Sequence, residues 1–217
     1  MAFTALSPVT FSARPMAGRP STDPNPAAAT PVHTRAAARR MHEAKLAADL
    51  LPELPAPGET IHAMMSGRYD LAQVIVATVR RWPVAHLRIT SLSANKRTLR
   101  ELIAEVDAGT VSRITLLLSG FFARHNKELF QAIREEVQAD HPGSRIAAAK
   151  CHAKIALFEF RDGSIPLVLE GSANLRKNDS VEQLTATRSR ELHDWHAGWI
   201  DRLVSAHATD RTEDDAA

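Results

Sequence analysis

Two pairs of side chains in this sequence suit chemistry on a phosphoryl group. His152 and Lys154 stand two residues apart in Cys151-His152-Ala153-Lys154-Ile155, and Ser172 and Asn174 stand two apart in Gly171-Ser172-Ala173-Asn174. Side chains on a strand alternate between faces, so each pair shares one face if its segment is extended. On two neighbouring strands the four groups converge on one spot. The set supplies a nucleophile, a cation, and donors for non-bridging oxygens. Ala153 and Ile155 turn to an apolar layer on the opposite side. The same alternation turns Cys151 away from the site and makes it a core thiol.

His-x-Lys followed by Gly-Ser-x-Asn resembles the signature of the phospholipase D superfamily. The family pattern is His-x-Lys, four residues, Asp, then six or so residues before Gly-Ser-x-Asn. Here Glu159 stands at the Asp spacing, and the gap from Glu159 to Gly171 is longer than the pattern's. A longer hairpin turning at Arg161-Asp162-Gly163-Ser164 accounts for that gap. The resemblance implies catalytic roles for His152, Lys154 and Asn174, with Glu159 in the acidic position. It implies substrate contacts from Ser172, and from Glu182, which matches a Glu that some members place after the second strand. Glu182 is equally explained as part of a helix capping box. Lys177 belongs to a group of basic residues near the motif, with Lys150, Arg176, Arg188 and Arg190, that suits a polyanion.

The chemistry implied is covalent: one His attacks phosphorus, a second protonates the leaving alcohol, and water resolves the phosphohistidine. Lys supplies the positive charge, so neither metal nor cofactor is implied. Only one complete motif is present. His62-Ala63-Met64 lacks the Lys and His86-Leu87-Arg88 has Arg in its place. His125-Asn126-Lys127 matches His-x-Lys but opens a helix and has no second element. A whole site therefore requires two copies in a two-fold homodimer. Single-motif members act on nucleic acid more often than on lipid, which implies a nuclease with DNA ahead of RNA as substrate. The competing expectations are a catalytically inactive nucleic-acid-binding module and an assembly protein that uses the fold to dimerise.

The elements that must position these residues follow from periodicity. The chain has 217 residues, 44% of them hydrophobic, and a net charge of +2, which fits one domain with tails. A single cysteine excludes an internal disulfide and fits a reducing compartment. No apolar run long enough to span a membrane is present, and the N-terminus lacks a secretory core, so the expected location is cytoplasmic, off the membrane. Residues 1–57 form an arm, Pro-rich and disordered to about 34, then helical over 35–51. The domain proper occupies 58–205, and 206–217 form a flexible acidic tail.

Within the domain the pattern alternates. Strands are expected at 59–67, 86–92 and 113–119, each followed by an amphipathic helix, at 69–82, 95–108 and 126–139. Two long strands follow, 145–160 and 165–172. A helix over 181–204 is expected last, capped at Asp179 or Ser180, with Leu192, Trp195, Trp199 and Leu203 as its apolar stripe. His193, Asp194 and His196 on that helix lie at a spacing that admits a metal, but core packing is the preferred reading. The order gives an α/β sandwich: a mixed sheet with helices on both faces, resembling one phospholipase D repeat over 58–205.

Overall fold

The structure, a computed structural model, describes residues 38–44, 47–65, 69–177 and 179–208. The proline-rich arm to residue 37, Gly67 and the acidic end from 209 lie outside the described residues. Eight strands form one mixed sheet in the order β1-β2-β8-β7-β6-β3-β4-β5. They are β1 Ala38–Ala44, β2 Glu59–Met65, β3 Val84–Ser91, β4 Ile114–Ser119, β5 Arg145–Ala149, β6 Ile155–Phe160, β7 Leu167–Gly171 and β8 Glu182–Arg188. β1 pairs parallel with β2, and β3, β4 and β5 pair parallel with one another; the remaining pairings are antiparallel. One edge of the sheet therefore collects the C-terminal ends of β1, β2, β3, β4, β5 and β7 together with the N-terminal ends of β6 and β8.

Helices cover both faces. Helices α1 Ala47–Leu50, α2 Leu71–Arg81, α3 Lys96–Asp107 and α5 Lys127–Asp140 lie over the larger core, where Ile89, Leu116, Ala156, Phe158 and Leu169 meet Val74, Ile75, Leu99 and Ile133. Helix α6 Arg190–Ala208 covers the other face, where Leu117, Leu157 and Val168 meet Ala197, Ile200 and Val204. The run Ile114–Ser119 is buried throughout, because its alternate residues serve the two cores in turn. Asp70 and Asn95 cap α2 and α3 through capping boxes with Gln73 and Thr98, as their positions before apolar-periodic runs require.

Three expectations are corrected and one element is added. The stretch 35–51 is not one helix: its described residues give strand β1 and the short α1, and Leu50 and Leu51 enter the core, so the fold starts well before Gly58. Helix-favouring residue types there yield to pairing with β2. An additional short helix, α4 Gly120–His125, fills the gap between the strand expected at 113–119 and the helix expected at 126–139. The stretch 145–160 is two strands. β5 is an edge strand on β4, whereas β6 lies on the far side of β3, and residues 150–154 cross the ends of β4 and β3 to connect them.

The third correction concerns Glu182. The stretch 181–204 opens as strand β8, and only from Arg190 is it helical. Leu184 and Ala186 alternate into the core while Thr187 meets Thr60 hydroxyl to hydroxyl at 3.1 Å across the pair. Glu182 thus opens a strand and caps no helix, and Asp179 and Ser180 precede that strand. The later start also rotates the helix: His193, His196, Ala197, Ile200 and Val204 are buried, and Trp195 is 51% exposed. Among the described residues no helix is long and apolar enough to cross a membrane.

Candidate active site

The site is assembled at the sheet edge where six strands end and two begin, the position at which open α/β sheets gather ligand-binding groups. Ile155, the first residue of β6, is fixed by its N–H donating to the buried Thr90 hydroxyl at 3.1 Å. Lys154, just before it, is only 9% exposed. Its carbonyl accepts from Gly171 N at 3.1 Å, which ties the His-x-Lys segment to the Gly-Ser-x-Asn segment. His152 is exposed. Lys154 Nζ reaches both His152 Nδ1 and the His152 carbonyl oxygen, each at 2.8 Å. The two side chains meet because the crossing segment folds Lys154 back on His152, not because a strand alternates; neither residue is in a strand.

An ammonium has donors and no lone pair, so Lys154 makes Nδ1 of His152 the acceptor. A neutral His152 ring then carries its proton on Nε2. Burial pushes the Lys154 ammonium below the usual lysine range, while the Glu182 carboxylate and Cys151 pull in the other direction. Cys151 is half-buried against the α6-side core.

Ser172 and Asn174 follow β7. The Ser172 hydroxyl donates to the Glu182 carboxylate, and Ser172 N and Gln183 O pair at 3.1 Å. Glu182 is therefore brought to Ser172 and into the field of Lys154, by strand pairing. Asn174 Oδ1 lies 3.3 Å from the buried Ser91 hydroxyl, which shares its one hydrogen between that oxygen and the Ser93 carbonyl at 2.8 Å. That contact leaves the Asn174 amide hydrogens available for an anion. The same Ser91 hydroxyl accepts from Leu175 N at 3.1 Å. Ser91 was not singled out from the sequence. The signal was present: a small polar residue ends an apolar strand, and Ser119 ends β4 in the same way.

Gly171 is required by close approach. A Cβ there would stand 2.3 Å from the Gln183 carbonyl oxygen and 2.9 Å from Leu184 Cδ1. The first of these is backbone of β8 and cannot swing aside. Gly171→Ala is expected to cost about 1–3 kcal/mol of stability as the strands part, read as a lower Tm. An unchanged Tm would mean that β8 does not lie against Gly171.

Two expected site residues, Glu159 from the resemblance and Lys177 from the basic group, are not brought to this spot. Glu159 sits five residues along β6 from Lys154, roughly 16 Å away at strand rise. It faces α6, 3.6 Å from Arg88, whose guanidinium also makes a two-pronged pair with Asp201 at 3.0 Å. Beside it, burial first and then Arg88 push His86 down to about 3, so that ring is neutral at pH 7. Glu159 thus serves a half-exposed charge cluster at α6 in which only Arg88 is buried. Lys177 is exposed beyond the Leu175 bridge.

Three further histidines have structural partners. Trp199 Nε1 donates to His196 Nδ1 at 3.0 Å, which leaves the His196 proton on Nε2, facing Glu170 Oε1 at 3.0 Å. This pair braces the residue preceding Gly171. His193 bonds Asp194 at 2.8 Å. His125, exposed, bonds the Phe121 carbonyl one turn back.

No family model and no curated protein matches the sequence. Solved structures do. NucT from Helicobacter pylori matches with a TM-score of 0.50 and 15% identity, over 69% of this chain and 99% of its own. Nuc from Salmonella typhimurium, described as a phospholipase D family member, matches with a TM-score of 0.51 and 13% identity, over 71% of this chain and 100% of its own. The fold is phospholipase D-like. In this phospholipase D-like fold the expected mixed sheet with helices on both faces is present, and the His-x-Lys and Gly-Ser-x-Asn segments meet at one edge.

Proposed function

We propose that the protein is a metal-independent phosphodiesterase acting on nucleic acid, DNA ahead of RNA, through a phosphohistidine formed in a site shared by two copies of the chain. The observation that carries this reading is the contact of the Lys154 ammonium with His152 Nδ1 at 2.8 Å, at the edge where Ser172, Glu182 and Asn174 also gather. A cation held against an exposed imidazole has little structural value, because burying a lysine costs free energy that only a partner or a ligand offsets.

The reaction runs in two displacements. Nε2 of His152 in one copy attacks phosphorus, and the bond to the leaving oxygen breaks. His152 of the second copy, carrying its proton on Nε2, gives that proton to the leaving oxygen. Water then attacks phosphorus, the same second His152 takes the water proton, and the phosphorus–nitrogen bond breaks. Lys154 and the Asn174 amide hold the equatorial oxygens, where negative charge gathers.

The attacking ring needs the opposite tautomer, with its proton on Nδ1. Lys154 therefore has to leave Nδ1 for a phosphoryl oxygen when substrate enters. One His–Lys pair thus serves as acid when the pair is closed and as nucleophile when substrate opens it. The inactive-module reading drew its support from Glu159 standing in place of Asp. Glu159 is paired with Arg88 under α6, so the exchange falls away from the phosphoryl site. The single cysteine fits a cytoplasmic setting.

Hydrolysis of bis(p-nitrophenyl) phosphate and of plasmid DNA in excess EDTA tests the reading, with the oligomeric state measured by sedimentation. Turnover by a dimer is expected. A folded dimer that turns over neither substrate overturns the phosphodiesterase.

A further inference from the structure

A cavity of about 530 Å³ opens beside His152, which forms part of its wall. Its walls are largely apolar, with Leu92, Ala149 and Phe121 among them, and its cations are Arg124 and Lys150. Phe121 is 56% exposed, the most exposed phenylalanine among the described residues. Its ring stacks on His125, 4.0 Å between centroids and tilted by 32°, so the imidazole backs one face of the phenyl ring. Gly120 makes room for Arg124: a Cβ there would stand 3.4 Å from its Nη1. Arg124 and Lys150 are both exposed.

We propose that this cavity holds the base of an unpaired nucleotide next to the scissile diester, so that the substrate is single-stranded nucleic acid. The proposal rests on the phosphodiesterase reading and specifies its substrate. An exposed phenyl ring, apolar walls and two cations at a phosphate-handling edge match the requirements of a base and its neighbouring phosphates. Stacking supplies sequence-tolerant affinity, and the cations follow the backbone. A base within a duplex has both faces stacked and must leave the helix before it can enter. The three groups come from two segments that end at the same edge: α4 after β4, and the crossing segment after β5.

The test uses the full chain in EDTA and follows fluorescence anisotropy with three labelled probes: a short oligothymidylate, an abasic oligomer of equal length, and a duplex. Cleavage is read from the same samples. The oligothymidylate is expected to bind tightest. Phe121→Ala should weaken its binding about 5- to 100-fold and leave the abasic oligomer unaffected. Arg124→Ala and Lys150→Ala should weaken both single strands and flatten the salt dependence. Equal affinity for base-bearing and abasic strands, an unchanged Phe121→Ala variant, or displacement of the oligomer by anionic phospholipid vesicles in a Phe121-dependent way would each overturn the base pocket. Cleavage with base-indifferent binding strikes only the pocket. Base-dependent binding without cleavage strikes only the catalytic reading.

Discussion

His152→Ala removes metal-independent turnover, by roughly 10⁴-fold or more, because the variant lacks both the group that bonds phosphorus and the group that protonates the leaving oxygen. The residue is exposed and outside any strand, so the variant folds, and its Tm stays near that of the wild type. Mixing provides a sharper reading. In a site built from two copies, a mixed dimer has one histidine and cannot complete the cycle. Equal amounts of wild type and variant, exchanged to equilibrium, should retain about a quarter of the wild-type activity, whereas independent sites would retain about half. Turnover by the variant itself at the wild-type rate would remove His152 from the chemistry altogether.

Lys154→Met lowers kcat by roughly 10²- to 10³-fold, the range for loss of one preorganised charge on a transition-state oxygen. Methionine keeps the stem's packing in a slot that is only 9% exposed. KM should move less than kcat, since the charge acts most where phosphoryl charge develops. The wild type supplies a second readout. Burial lowers the pKa of Lys154, so the ammonium is lost at a pH below the ordinary lysine range. Activity should therefore fall on the alkaline side earlier than an ordinary lysine would allow, and the Met variant should lack that limb. A variant with unchanged kcat would leave Lys154 as a brace for the His152 carbonyl alone.

The alternation of apolar residues made most of the sheet and three of the helices legible, because β2, α2, β3, α3, β4 and α5 each bury a periodic face. The pairs His152–Lys154 and Ser172–Asn174 were legible as residue types. Their geometry was misjudged: the period-2 pattern continues through 145–160 on both sides of the crossing, and no local signal marks where an edge strand is left and an inner one entered. β8 was hidden for a related reason. Asp179 to Gln183 has the letters of a capping box, but Leu184 and Ala186 are claimed by β7, the preceding strand, and by β2, which lies far off in sequence. The role of Ser91 depends on Asn174, 83 residues away. Such partnerships are tertiary, and periodicity carries no trace of them.

The five residues between β5 and β6 form a short span. From β5 to β6 the chain passes over β4 and β3, three strand spacings, or about 14 Å. Six Cα steps from Ala149 to Ile155 reach at most roughly 20 Å. His152 thus rides at the middle of a short bridge laid over the sheet, whose spare length is taken up by turns such as Cys151 N–H to the Ala149 carbonyl at 2.7 Å. Its height is set by the length of that bridge as much as by its neighbours. A one-residue deletion anywhere in 150–153 would draw the histidine down onto the strand ends, and a one-residue insertion would let it bow outward into solvent. Both would be length changes with every catalytic side chain still present.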